Sequence, residues 1–197
     1  MKILDKPEGE YHFQGIFHDS GKRTGKLIFP DLSEITGDFY NDFDTCNGII
    51  TQIPERYGIL SMQGNFEGFI GLDSSIEYLN GSYYRGATVG FKKHGKGLLL
   101  NENGKYKGYF VNDRLYHGKH LDKDMNIYEG YFKSHKGQIL YDGYGFIYEK
   151  NGREYHGTFR KGLKHGDGII HEASRAFTCH YIDGKRYSCS YIGEFIH

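Results

Sequence analysis

The sequence alternates with period two around a recurring glycine. An apolar residue, any residue, glycine, any residue and an aromatic follow one another as Phe13-x-Gly15-x-Phe17, Ile35-x-Gly37-x-Phe39 and Met62-x-Gly64-x-Phe66. The pattern continues as Tyr84-x-Gly86-x-Thr88, Tyr106-x-Gly108-x-Phe110, Tyr128-x-Gly130-x-Phe132, Tyr155-x-Gly157-x-Phe159 and Phe177-x-Cys179-x-Tyr181. The central positions are 22, 27, 22, 22, 22, 27 and 22 residues apart, so two copies carry five extra residues. Residues two apart on a strand share a face. The pattern therefore predicts strands whose apolar residue, glycine and aromatic point one way, with the intervening residues pointing the other. A bare backbone at the middle position leaves room for rings of neighbouring copies. Phe17, Phe39, Phe66, Tyr106, Phe110, Tyr128, Phe132, Tyr155 and Phe159, with Gly108, Gly130 and Gly157, are the expected repeat core.

Each motif is followed by glycines that predict a turn and a return strand. Gly162-Leu163-Lys164-His165-Gly166-Asp167-Gly168 reads as a turn before Ile169-Ile170, and His94-Gly95-Lys96-Gly97-Leu98 repeats it. Asn80-Gly81, Asn103-Gly104 and Asn151-Gly152 mark turns between one unit and the next. A single hairpin cannot cover its own aromatic face, but stacked hairpins can. The expected fold is all-β: an elongated, twisted, single antiparallel sheet of about eight hairpins, roughly 75 Å long at about 4.8 Å per strand. Its end strands would offer unpaired edges.

Tyr155-x-Gly157-x-Phe159 followed by Gly162-x-x-His165-Gly166-x-Gly168 resembles the MORN (membrane occupation and recognition nexus) repeat. The likeness spans nearly all of residues 11–197. It sets a lead-in at 1–10, degenerate units at 11–83, well-formed units at 84–176 and a capping unit at 177–197. Unit three has Asp73 and Ser75, and unit eight Ser188 and Ser190, in place of turn glycines. Extra residues fall at Thr51 to Tyr57, with Pro54, and at Ser134 to Leu140. The resemblance implies a scaffold or adaptor, in ciliary axonemes or at cell-cortex structures, or a peripheral module for anionic lipid. Such repeats also precede kinase or methyltransferase domains, but here they fill the chain.

Composition supports the strand reading. Glycine (29 of 197 residues) and Tyr plus Phe (18 and 14) are abundant, Pro is scarce (3) and Trp absent. So much glycine disfavours helices, while Tyr and Phe suit a half-buried sheet. The missing Trp argues against secreted choline- or glucan-binding hairpin repeats. No apolar stretch approaches the roughly 20 residues of a membrane-spanning helix, and the first ten residues do not read as a secretory signal. Cys46, Cys179 and Cys189 are too few and scattered for a disulfide framework, and their odd number fits a reducing, cytoplasmic setting.

Net charge is zero but unevenly spread. Residues 1–84 hold 6 basic and 13 acidic residues, residues 85–197 hold 19 and 12. The balance swings from −7 to +7, which suits end-to-end self-association or an acidic partner for the second half. Nucleic acid is not expected as a partner, because the aromatics are needed within the sheet. Tyr83, Tyr109, Tyr131 and Tyr144 fall beside the repeat columns and are expected on the opposite face. With Lys92, Lys93, Lys96, Lys105, Lys107 and Lys133 they form the candidate surface for an amphipathic helix or extended peptide; Lys136, Lys161 and Lys164 add to the basic half. The bland reading is a solvated second side of a twisted sheet.

Catalytic signatures do not rise above background: there is no Gly-x-Ser-x-Gly, phosphate-cradling Gly-Lys-Ser/Thr loop or His-Glu-x-x-His. A non-enzymatic protein without cofactor is expected. His94, His117 and His165 precede glycines and read as turn histidines that satisfy loop carbonyls. Cys179, His180, Cys189 and His197 crowd the last unit with zinc-ligand chemistry. Adjacent Cys179 and His180 point to opposite faces of a strand, so no metal is assigned there.

Overall fold

The computed structural model describes residues 10–30, 32–67 and 70–194. The protein is all-β, and within each compact unit sheet order follows chain order, with antiparallel pairing of neighbours. It divides into two compact units, Met1–Glu102 and Asn103–His197. The first holds β1 His12–Phe17, β2 Arg23–Ile28, β3 Glu34–Tyr40, β4 Thr45–Thr51, β5 Ile59–Glu67, β6 Ile70–Tyr78, β7 Tyr83–Val89 and β8 Lys92–Asn101. The second holds β9 Gly104–Val111, β10 Arg114–Asp122, β11 Ile127–His135, β12 Gln138–Tyr148, β13 Glu154–Arg160, β14 Leu163–Glu172, β15 Arg175–Ile182 and β16 Lys185–Glu194. Among the described residues no helix is long and apolar enough to cross a membrane.

The motif copies fall on the odd-numbered strands, and alternation gives each unit a ring face and an outer face. On the ring face of the first unit Leu27, Ile35, Phe39, Ile50, Met62, Phe66, Ile76, Tyr84 and Leu99 are buried. In the second, Tyr106, Phe110, Leu115, Tyr128, Phe132, Tyr155, Phe159, Ile170 and Tyr181 are buried. Phe17 departs from expectation. It is 67% exposed, because β1 has only β2 beside it among the described strands, and no preceding copy covers its ring.

The glycines form a ladder. Gly108, Gly118, Gly130, Gly145, Gly157 and Gly168 lie opposite one another across six consecutive strands. The ring above the Gly130–Gly145 and Gly157–Gly168 pairs belongs to the same copy, two residues back, and not to a neighbour as the sequence suggested. A β-carbon built on Gly157 or Gly168 would run into the Tyr155 ring, and one on Gly145 into the Tyr128 ring. Side chains lean along their own strand, which brings the ring at i−2 over the bare position. The neighbouring copy then meets that ring edge-on: Phe159 against Tyr128 at 5.1 Å and Tyr181 against Tyr155 at 5.3 Å between centroids. Such pairs contribute about 0.5–1.5 kcal/mol each beyond their buried area.

The segments read as glycine-rich turns are strand. The chain reverses at Lys161-Gly162, both at positive φ, and β14 begins at Leu163. His165-Gly166-Asp167 is a bulge on β14: Gly157 pairs with Gly168 and Phe159 with Lys164, leaving three residues opposite Thr158. His94-Gly95-Lys96 opposite Ala87, and Asp142-Gly143-Tyr144 opposite Tyr131, repeat the device. The bulge takes Ala87, Tyr131 and Thr158 out of the pairing with their return strand, and a ring hydroxyl serves each freed carbonyl. Tyr84 donates to the Ala87 carbonyl at 2.8 Å, Tyr128 to Tyr131 at 2.8 Å and Tyr155 to Thr158 at 3.2 Å. His94, His117 and His165 therefore stand on β8, β10 and β14 and not in turns. The Nδ1 of His165 accepts from the Asp183 backbone N–H at 3.3 Å, steadying the next reversal.

The Asn80-Gly81 and Asn151-Gly152 turns form as read. In each, a five-residue turn closes with two backbone bonds, and the Asn side chain accepts from the N–H two residues on. The extra residues after Thr51 form a 3-10 turn over Glu55–Tyr57, ended by Gly58 in the left-handed region. Those within Ser134 to Leu140 make no loop: they lengthen β11 and β12 around a tight Lys136-Gly137 reversal.

The cysteines correct a further expectation. Cys179 and Cys189 are direct partners across β15 and β16, with Cα atoms 4.1 Å apart, and are joined by a disulfide. Ten residues apart is one hairpin, so positions that look scattered in the sequence are opposite in register. Cys46 is the free, buried cysteine, and desolvation pushes its thiol up to about 11.

Candidate functional site

The candidate surface divides between the units. Tyr83, Lys92, Lys93 and Lys96 belong to the first, where Tyr83 is half-buried on β7 while Lys92 and Lys96 are exposed. Lys93 is not an outer cation. It pairs with Thr88 in register, which turns it to the ring face, where its ammonium donates to the Tyr78 hydroxyl at 2.9 Å and lies 4.8 Å from that ring's centre. The bulge at His94 to Lys96 adds two residues and so keeps parity: Lys93 stands four residues before Gly97 and shares its face.

The second unit gathers the remaining candidates on its outer face. Tyr109 on β9 and Tyr131 on β11 both lie opposite His117 on β10. The bulge residue Tyr144 on β12 pairs with Thr158 on β13 and so faces the same way. These tyrosines are 47%, 44% and 51% exposed, whereas the ring-face Tyr106 and Tyr128 of β9 and β11 are nearly fully covered. Tyr116, extruded by a one-residue bulge on β10, meets Tyr131 edge-on at 5.8 Å, and His117 meets it at 4.9 Å. Tyr144 leads on to Phe146 at 5.3 Å and Phe146 to His156 at 4.8 Å. The result is an aromatic row running across β9 to β13.

Cations flank the row. Lys105 and Lys107 share the outer face of β9 with Tyr109, and Lys133 follows Tyr131 on β11; all three are exposed. Lys119 lies directly opposite Lys107. Its own partner, Glu129 at 2.9 Å, holds its ammonium above the ordinary value. Rings with exposed edges beside solvated ammonium groups can take apolar side chains, stack on planar groups and attract carboxylates. Tyr116, Phe146, Tyr148 and His156 were not singled out in the sequence. Counting alternation outward from the paired return-strand glycines would have placed Phe146 and His156, but not the bulged Tyr116.

The ring face carries its own polar groups. His120 is buried where other return strands place Leu99 or Ile170, two residues after the paired glycine. It stacks on Tyr106 at 3.9 Å with planes 1° apart, and its nitrogens bond the Tyr141 hydroxyl at 2.7 Å and the Asn103 carbonyl at 3.1 Å. Burial holds its imidazole below the ordinary value. Lys164 reaches over the Tyr155 ring at 4.8 Å toward Glu149 at 3.4 Å, and desolvation lowers its ammonium. A groove of about 610 Å³ runs past Lys164, Phe159, Tyr181 and Arg186.

The zinc-like cluster of the last hairpin does not form. The sulfurs of Cys179 and Cys189 are bonded to one another, and His180 is paired with Asp167 at 2.6 Å. His197 lies outside the described residues. Among the described residues one set of three side chains converges with metal-ligand chemistry: Glu154, His156 and His171 on the outer face of β13 and β14. Compared with known proteins, the chain matches no family model and no curated protein.

Proposed function

We propose that the protein is a non-enzymatic scaffold whose second unit grips a segment of a partner protein, an amphipathic helix or an extended peptide, on its outer aromatic row. One observation carries the reading: Tyr109, Tyr131 and Tyr144 stand exposed on the outer face of β9, β11 and β12, whereas Tyr106 and Tyr128 on the ring face of β9 and β11 are all but fully covered. A monomer gains nothing from leaving a row of large rings in water, whereas such rings anchor interfaces when a partner covers them. Flanking Lys105, Lys107 and Lys133 favour a partner with acidic positions beside its apolar ones. The resemblance to MORN repeats suggests a cytoskeletal setting, ciliary, axonemal or cortical.

The test is crosslinking mass spectrometry on the native assembly, with the full chain and with Tyr109→Ala/Tyr131→Ala/Tyr144→Ala. Crosslinks from Lys105, Lys107 and Lys133 to one protein, lost in a variant that keeps its melting curve, are the expected result. Crosslinks that persist in the variant sink the proposal. So does salt-sensitive sedimentation with phosphatidylserine vesicles that needs the same lysines and no protein partner, which is the lipid alternative.

A further inference from the structure

We infer that Glu154, His156 and His171 form a binding site for one divalent transition-metal ion of the zinc, cobalt or nickel type. Glu154 on β13 and His171 on β14 are direct register partners, and His156, two residues along β13, faces the same way. The carboxylate oxygen Oε2 of Glu154 stands 3.3 Å from Nε2 of His156 and 3.3 Å from Nδ1 of His171. All three ligand atoms lie within 4.8 Å of one another. A tetrahedral ion with bonds of about 2.0–2.1 Å holds its ligands about 3.3 Å apart, so two of the three edges already have that length. The remaining edge joins two imidazoles whose centroids are 5.0 Å apart, within reach of small ring rotations.

The same distances fit less well to hydrogen bonding alone. A charge-assisted imidazolium–carboxylate bond closes to about 2.7–2.9 Å. His180 and Asp167, in the same unit, close to 2.6 Å. Glu154 instead holds both imidazoles at the longer separation. The three side chains are 34%, 24% and 27% exposed in the order Glu154, His156 and His171, so an ion can enter from solvent. Two imidazoles and one carboxylate favour zinc, cobalt or nickel over the oxygen-seeking magnesium and calcium. Three protein ligands leave a fourth position for water or a donor from a bound molecule. Phe146 and Tyr148 on β12 stand beside it, with ring centroids 4.8 Å and 6.2 Å from that of His156.

The experiment titrates the intact, disulfide-bonded chain with Co²⁺ and follows the visible bands of tetrahedral cobalt, with Zn²⁺ calorimetry in parallel. One equivalent at micromolar affinity is expected, with Zn²⁺ displacing Co²⁺. His156→Ala and Glu154→Gln should each weaken binding by at least about tenfold. His180→Ala should not change it, and circular dichroism checks that each variant folds. Absence of tetrahedral bands in the wild type, or affinity undiminished in folded His156→Ala, overturns the inference.

Discussion

Hairpins β3–β4 and β13–β14 start from the same specification and solve it differently. Each carries a motif glycine whose return-strand partner lies eleven residues on, Gly37 with Gly48 and Gly157 with Gly168. In β3–β4 the ladder is unbroken and the spare length goes into a four-residue turn, with Asn41, Asp42 and Phe43 all at positive φ. In β13–β14 the turn is the tight pair Lys161-Gly162, and the spare length becomes the bulge at His165 to Asp167. The first aromatic-column residue differs accordingly. Ile35 has no polar atom to offer and its hairpin frees no carbonyl, whereas Tyr155 has a hydroxyl and its hairpin frees one. A buried carbonyl without a partner costs about 1–3 kcal/mol, so the three-residue bulge and the tyrosine belong together. Hairpin β9–β10 is instructive because its bulge is a single residue, Tyr116. There the Tyr106 ring stacks on His120 instead.

The largest effect that would break this comparison is a β-carbon under a tethered ring. Gly157→Val should lower stability by about 3 kcal/mol through overpacking, since the Tyr155 ring is buried and bonded at its hydroxyl. Gly25→Val would meet the Gln14 carbonyl and the Gly15 backbone before the Phe13 ring, so it is costly whether or not that ring is tethered. Thermal melts check the Gly157→Val loss, and an unchanged melt would show that the ring does not need the bare position. Next is the tether itself: Tyr155→Phe and Tyr128→Phe should each cost about 1–2 kcal/mol in urea unfolding, by stranding the Thr158 and Tyr131 carbonyls. Phe13→Tyr, in a hairpin with no bulge, should gain nothing.

A smaller, pH-dependent effect separates His120 from the aliphatic residues at its column. Its folded-state imidazole is held below 6.5, so the unfolded chain takes up the proton first as pH falls. The contribution is therefore full above about pH 6.5 and lost progressively between there and the lower folded value. His120→Leu should flatten that part of the stability–pH curve, measured by urea unfolding between pH 7.5 and 5. An unchanged slope would assign it to other histidines. The smallest effect is at Met125, which holds φ 68° in the five-residue turn where Gly21, Gly81 and Gly152 supply the same conformation. Met125→Gly should raise stability by up to about 1 kcal/mol, because a side chain is disfavoured there.

Much of the architecture was legible because it rests on local periodicity. Alternation around each glycine places Phe39, Phe66, Tyr128 and Phe159 on one face whatever the strands do elsewhere, and Asn-Gly pairs favour their turns from two residues alone. The outer tyrosines of the second unit were legible for the same reason. Grouping Lys93 with the outer lysines overlooks that it stands four residues before Gly97, a spacing that puts it on the ring face. Phe17 was not legible, because its exposure follows from which strand lies beside it. Glu154, His156 and His171 were invisible because they meet only through register across a hairpin.

The sequence by itself determined that this chain is a succession of antiparallel hairpins with bare backbone beneath its rings: glycine, aromatic and turn residues act over two to five positions, and no distant contact is needed to read them. Tertiary structure alone decided where each hairpin stored its spare residues, which face the following side chains took, and that Cys179 would meet Cys189. Those outcomes depend on pairing every buried backbone group once the strands are side by side, a condition of the assembled sheet that no single segment carries.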